Sequence, residues 1–386
     1  MPSSRILWTI SAILSLTFAV LLVLSWQAAT RQEQPENQLV SEADIDRALN
    51  EYAKRGNIPE GDPIYRVPTG FYLQSLDFKD ATSVHVAGYI WQRFQAKLPE
   101  DFTKWASSCE QDKTPFIFPE QIKSEAGIEP ELRYEAAGDA GRVCGWYFEV
   151  TLRQPFDYRK YPFDTETVWL RMWTRDLLPN VVLVPDLAAY PHGTDGEKIF
   201  GIGQRMVLGS WLKSNTYFSY TTTPFDTTFG ILGTDELSEA LELNFNFVLK
   251  RQLVDAMVEH LLGILVIMIL LFATMLVVSR DEHKAQRHGF NTAMVLGACS
   301  ALFFVVLISH IQLRAQFSGT NVVYLEMYYY LLYLLLMGAT INTYYFSEEA
   351  NRATSILHFR DNLIPKLLYW PFIFAFALCI SVIMLL

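Results

Sequence analysis

Hydrophobic and polar positions along the chain fall into two regimes. Five windows contain no Asp, Glu, Lys or Arg: Ile6–Trp26, Leu261–Val278, Gly289–Leu313, Met327–Phe346 and Leu367–Leu386. Each is at least 18 residues long, against the roughly 17–25 residues that carry a helix across a bilayer. The last four predict helices over about 254–278, 287–313, 322–346 and 363–386. A soluble single-domain protein is thereby excluded. Between the first and second windows lie 234 residues of mixed composition. From Gln27 to Pro63 they are polar and Glu-rich, with one short helix predicted around Ser41–Arg55 and Ser41 as its cap. After Pro68 apolar and polar residues alternate with period two between Gly, Pro, Asn and Asp punctuation, which predicts an all-β sandwich. The clearest strands are Gly70–Leu76, Val84–Gln92, Trp146–Arg153, Thr167–Trp173, Asn180–Val184 and Leu241–Lys250. The last opens Leu-Glu-Leu-Asn-Phe-Asn-Phe, so one of its faces must be buried.

Domain limits follow from these patterns. Residues 1–29 read as a signal peptide or a retained membrane anchor, 30–64 as a polar lead, 65–252 as the β-sandwich and 253–386 as a four-helix set. The first apolar window spans 21 residues and ends Ser25-Trp26-Gln27-Ala28-Ala29. Signal cores usually span about 7–15 residues and end at a small-x-small site, so an anchor is favoured. Either form delivers the β-domain outside the cytoplasm. Counted from there, the connections Ser279–His288 and Ser347–Lys366 are cytoplasmic and hold Arg280, Lys284, Arg287, Arg352, Arg360 and Lys366, whereas the opposite loop Arg314–Glu326 holds only Arg314. That asymmetry follows the positive-inside tendency and places a multi-pass protein in a plasma or inner membrane.

Composition adds less. The chain is 51% hydrophobic and 19% charged, against roughly 45–50% and about 25% in ordinary soluble domains. A formal charge of −10 argues against nucleic acid as a partner. Of four cysteines, Cys299 and Cys379 sit in apolar windows, while Cys109 and Cys144 lie in the external domain, where a disulfide is chemically available.

The stretch from Phe156 to Thr167, with Tyr161-Pro162-Phe163-Asp164 at its centre, resembles the signature loop of the pentameric ligand-gated ion channels, the superfamily of the Cys-loop receptors. Further matches occur in order. Thr69–Leu73, Ser75–Asp77 and Val84–Trp91 resemble the family's first hairpin, with its Trp on the second strand. Asn180–Val184 followed by Asp186-Leu187 resembles the strand after the loop, and Arg251 matches the arginine that ends the last strand. The family's two bracketing cysteines are replaced by Gln154 and Val168, as in bacterial members without the loop disulfide. Glu166 stands for the usual Gln and Gly263 for the Pro of the first membrane helix, and the usual Pro between the second and third helices is missing. These departures bear on coupling geometry rather than on the fold.

The resemblance implies an extracellular immunoglobulin-like β-sandwich above a four-helix transmembrane bundle, in a homopentamer. It implies no cofactor and no metal. Its partners would be four identical subunits, the lipid bilayer, permeating ions and a small ligand such as an amine, an amino acid or a proton. It pairs Asp164 with Arg251, and it brings Asp77, Asp80, Pro162, Phe163 and Arg314 to the place where binding is coupled to opening. The alternative is that Asp164 only caps its own tight turn. For ligand contact the aromatic candidates are Tyr89, Trp91, Trp173, Tyr217, Tyr220 and Phe225, since aromatic faces attract cationic amines. Core packing is the competing role for each.

The second bundle helix would line the pore. If Arg287 matches the basic residue at the start of the family's pore helix, Leu296 takes the gate position and helical spacing puts Gly289, Ala293, Leu296, Ser300, Phe303 and Leu307 on the lumen. A ring of leucines gates by dewetting. A register one turn away exposes Thr292, Cys299 and Val306 instead. The cytoplasmic mouth positions of the first register are Ala285 and Gln286, so no acidic ring specifies cations. The same fold could also signal or assemble without conduction. An enzyme is disfavoured: the seven histidines form no His-Glu-x-x-His, and no Cys-x-x-Cys, Gly-x-Ser-x-Gly or phosphate loop occurs. His260 and His310, near the outer ends of their helices, are candidate proton sensors.

Overall fold

Alternating apolar residues need a sheet with something to pack against, and long uncharged runs need either lipid or one another. The chain separates along that line into two compact units, one of Met1–Glu33, Asp157–Asp164 and Arg251–Leu386, the other of Gln34–Phe156 and Thr165–Lys250. The computed structural model describes residues 3–30, 37–58, 63–95, 98–122, 129–138, 141–175, 180–190, 199–224, 226–227, 239–279, 292–347 and 359–385. Gly289 and Phe225, with Ala285 and Gln286, lie outside the described residues.

The β unit contains β1 (Tyr65–Phe78), β2 (Ser83–Phe94), β3 (Phe116–Ile117), β4 (Gln121–Ile122), β5 (Glu131–Gly138), β6 (Gly141–Arg153), β7 (Thr165–Thr174), β8 (Val181–Pro185), β9 (Trp211–Pro224) and β10 (Glu239–Arg251). They form a six-stranded sheet, β4-β6-β2-β1-β8 with β5 on β6, and a four-stranded sheet, β3-β7-β10-β9. Aromatic side chains of the two sheets meet: Phe71 of β1 stacks on Phe245 of β10 at 5.3 Å and meets Phe218 of β9 at 6.5 Å. Trp91 lies across Gly70 so closely that a Cβ there would stand 2.2 Å from its ring, which explains the glycine.

The predicted short helix is α2 (Glu42–Tyr52), where the Ser41 hydroxyl and the Asp44 carboxylate cap each other's backbone amides. Two further elements were not predicted: the helix α3 (Glu100–Ser107), only eight residues long, and the long strand β9, which does not alternate cleanly. Cys109, just after α3, is bonded to Cys144 of β6 with the two Cα atoms 5.5 Å apart.

Strand β10 corrects a simple reading of alternation. Leu243, Phe245 and Phe247 are fully buried, but so are Glu242, Asn244 and Asn246 on the other face. The reason is position: β10 lies between β7 and β9, and its polar face is satisfied across the sheet. Asn244 Nδ2 donates to Thr221 Oγ1 (2.8 Å) and Asn246 Nδ2 to Ser219 Oγ (2.8 Å).

Among the described residues, the helical unit contains four helices long and apolar enough to cross a membrane: α1 (Ser4–Ala29), α4 (Leu253–Val277), α5 (Thr292–Gln316) and α7 (Leu363–Leu385). Between the last two lies α6 (Glu326–Ser347), 22 residues long and uncharged after Glu326, but carrying six tyrosines. At about 1.5 Å per residue it also reaches roughly 33 Å. Tyr369 of α7 donates to the Met268 carbonyl of α4 (2.8 Å), and His310 of α5 stacks on Tyr329 of α6 at 5.2 Å. The N-terminal helix is not separate from this set, for the Ser11 hydroxyl donates to the Leu367 carbonyl of α7 (2.5 Å).

Candidate functional site

The connection from β6 to β7 is built to be rigid. Asp157 opens it, its carboxylate accepting the Arg159 backbone amide (3.1 Å) and the Arg159 guanidinium (2.8 Å). That charged hydrogen bond holds the Asp157 carboxyl below the usual carboxylate range. One turn of tight helix, Tyr158–Lys160, follows, then a cis Tyr161–Pro162 bond, and the Phe163 amide closes back on the Lys160 carbonyl (2.7 Å).

The turn is thus capped by Asp157, and Asp164 is left for another partner. Arg251, the last residue of β10, grips both oxygens of Asp164: Nε donates to Oδ1 (2.8 Å) and Oδ2 (3.0 Å), and Nη2 to Oδ2 (2.8 Å). The Arg251 amide also donates to the Asp164 carbonyl (3.3 Å). The carboxylate is fully buried, with 12% of the guanidinium side chain exposed. Burial pulls the Arg251 guanidinium toward neutrality, and the adjacent Asp164 carboxylate more than reverses it. The guanidinium lies over the ring of Tyr161, 4.7 Å from its centre, a placement that adds cation–π attraction. Burial pushes the Tyr161 phenol up to about 12.

Around the pair the loop is seated among the helices. Tyr158 and Tyr161 both pack on Phe317, just past α5, at 5.1 and 4.7 Å. Tyr161 also meets His260 of α4. The Arg159 carbonyl accepts the Tyr324 amide (2.8 Å), and Lys160 Nζ donates to the Leu385 carbonyl at the end of α7 (3.0 Å). One short loop therefore touches the ends of α4, α5 and α7 and the lead into α6. Chemically the arrangement is a clamp, with a buried charge pair at its centre and aromatic rings as its jaws.

The other coupling candidates have partners of their own within their units. Arg314 is held by its own loop, through Glu326 (3.2 Å) and the Thr320 carbonyl (2.7 Å). In the β unit, Asp77 pairs with Lys79 (2.8 Å) and Asp80 caps the β1–β2 turn through the Thr82 amide (2.7 Å).

On α5, Val295, Cys299, Val306 and Leu313 are buried against the chain's own helices. The register exposing Cys299 and Val306 would need those residues to face water, so this burial opposes it. Ala293, Ser300 and Phe303 lie on the uncovered side, with Leu296 and Leu307 half covered at its edge.

Four of the aromatic ligand candidates, Tyr89, Trp91, Trp173 and Tyr220, are engaged within the β unit. Tyr89 packs on Tyr147 (5.6 Å), Trp91 donates to Asp186 (3.0 Å) and Tyr220 donates to the Leu183 carbonyl (3.0 Å). Tyr217 is half buried, which raises its phenol pKa. Trp173 donates to Glu242, whose carboxylate also receives Arg171 (3.0 Å) and Thr223 (2.8 Å). Arg171 pairs in turn with Glu120, so a carboxylate–arginine–carboxylate row, fully buried at Glu242 and partly exposed at Arg171, crosses the four-stranded sheet toward β4. The sequence reading missed this row. Its one signal is a Glu on the polar face of β10 set diagonally from an Arg on β7, whose own partner in register is Asn244.

Among the described residues, no group of three or more His, Cys, Asp or Glu side chains is placed to hold a metal ion. Compared with models of known protein families and with curated protein sequences, the chain matches none.

Proposed function

We propose that this chain is the subunit of a homopentameric ligand-gated ion channel of the bacterial type, with its β-sandwich on the extracellular or periplasmic side of the membrane. The observation that carries the reading is the Asp164–Arg251 clamp. It joins the loop after β6 to the residue where β10 gives way to α4, and it seats that loop on the helix ends. A ligand that binds the β-sandwich better in one of two packings would shift the clamp's position, and with it the helices, by its differential affinity. Five copies of α5, each turning Ala293, Leu296, Ser300, Phe303 and Leu307 inward, would line a pore with Leu296 as its dewetting gate. The uncovered face of α5 supports this assignment, because a span with a bare apolar side needs either lipid or another copy to cover it.

A second reading keeps the fold and removes conduction. It is favoured by Phe303 and Phe304, which are 42% and 61% exposed at the middle of α5 and would narrow a shared axis. One experiment separates the two: image the purified oligomer to resolve its axis, then record currents from reconstituted protein at several pH values and with amines and amino acids. A five-fold particle with ligand- or proton-evoked current supports the channel. A five-fold particle that binds ligand and stays silent supports the non-conducting receptor, and any other stoichiometry overturns both.

A further inference from the structure

A targeting peptide needs apolar length and a cleavable end, and nothing in that requirement gives it a side. Helix α1 has one. Its covered positions include Ser11, Ser15, Ala19, Leu22, Ser25 and Trp26, which fall at helical spacing on a single face, while Ile13, Leu16 and Val20 are 61%, 67% and 52% exposed. Small and hydroxylated residues on one stripe are what close helix packing in a bilayer uses. The stripe is engaged at both ends: Ser11 donates to the Leu367 carbonyl near the start of α7, and Trp26 reaches Ser381, near the end of α7, through Tyr324.

That second contact is a built network. Trp26 Nε1 donates to the Tyr324 hydroxyl (2.7 Å), which also bonds Tyr328 (2.5 Å) and Ser381 (2.6 Å). Tyr324 and Ser381 are buried. The indole packs 5.6 Å from the ring of Phe163, which meets Tyr324 at 5.9 Å. Phe163 immediately precedes Asp164. Indole, Phe163 and Tyr324 thus form one closed triangle between α1, the loop and the lead into α6.

We propose that α1 stays in the working protein as a membrane helix docked on α7, and that Trp26 is a positioning residue that holds Phe163, and through it the loop carrying Asp164, against Tyr324. Without α1, Phe163 loses the indole from one side and the α1-facing side of α7 is left bare. This inference does not rest on ion conduction.

The test uses the full chain, purified in lipid nanodiscs. Intact mass and N-terminal sequencing should place α1 in the purified protein. Hydrogen–deuterium exchange is then compared in peptides covering 157–164. Trp26→Phe keeps a ring beside Phe163 but removes the N–H donor, and should speed exchange there about fivefold, the size of one lost hydrogen bond. Trp26→Ala should speed it further. Ser11→Ala, which loosens only the far end of α1, should leave the loop unchanged. A purified chain that begins after Ala29 overturns the proposal. So does wild-type loop exchange in Trp26→Phe, even if its melting temperature falls, because that outcome makes the helix a strut without a hold on the loop. Should Trp26→Ala fail to fold, Trp26→Phe decides.

Discussion

Removing the guanidinium of Arg251 should be among the most damaging single changes the helical unit can suffer. In the intact protein the Asp164 carboxylate has no exposed surface and takes three N–H contacts from one side chain at 2.8–3.0 Å. Arg251→Ala leaves that carboxylate buried and unpaired, at a cost of about 3–5 kcal/mol. It also strips a cation from the face of Tyr161, a further loss of roughly 1 kcal/mol. For a unit of this size about 2–4 °C of melting temperature goes with each kcal/mol, so a fall on the order of 8–24 °C is expected. Arg251→Lys keeps the charge but not the fork that spans both oxygens, and should fall between the two. The decisive control is Asp164→Leu combined with Arg251→Met, which removes both charges and should recover most of the loss, since a well-packed apolar pair replaces a buried ion pair at little net cost. Thermal unfolding of the detergent-solubilised protein, followed by size-exclusion chromatography, reads all four proteins. Gating should be lost in Arg251→Ala and in the double variant alike, because neither can hold the loop by charge. Normal oligomers, an unshifted melting temperature and normal currents in Arg251→Ala would refute the reasoning.

Three further outcomes are expected. If five copies of α5 line a pore gated at Leu296, Leu296→Ser should wet that ring and raise the ligand-free open fraction about tenfold or more, since ~1.4 kcal/mol suffices for that; an unchanged basal current in bilayer recordings would remove Leu296 from the gate. Breaking the Cys109–Cys144 bond, whose partners lie 35 residues apart, by paired Ala substitutions should destabilise the β unit by roughly 4 kcal/mol through the freed unfolded chain; a melting temperature equal to wild type would count against it. Tyr161→Phe keeps its ring on Arg251 and Phe317 but removes a phenol whose pKa burial raises to about 12. Because the folded value lies above the ordinary value of about 10, the neutral phenol's contribution is complete below pH 10 and is lost as pH rises from there through 12, to a limit of about 2–3 kcal/mol. The variant should therefore resist alkaline unfolding better than wild type between pH 10 and 12, and equal pH profiles would sink that account.

How much of this was legible from residues alone differs by kind of signal. Strand positions were readable where period two is strict, as in Leu241–Phe247, because a side chain's face is set by its own backbone. Helix limits along the apolar runs were readable to within a few residues, α5 ending at Gln316 and α6 starting at Glu326 rather than a few residues earlier. The pairing of Asp164 with Arg251 came from a resemblance, and composition alone would not have found two residues 87 positions apart. What stayed hidden depends on contacts between elements distant in sequence. Glu242 looks like a solvent-facing residue of an amphipathic strand until β9 covers it and Arg171 and Trp173 reach it from β7. The side of α1 is hidden for a related reason: its windows are apolar all round, so hydrophobicity has no direction to report, and the face is marked only by small hydroxylated residues and one indole. In a helix surrounded by lipid the direction is carried by hydrogen bonds and close packing instead. Trp26 is therefore the residue in that helix whose meaning changes most: within the sequence it argued only against a cleavage site, and in the fold it is a donor to Tyr324 with its ring on the residue before Asp164.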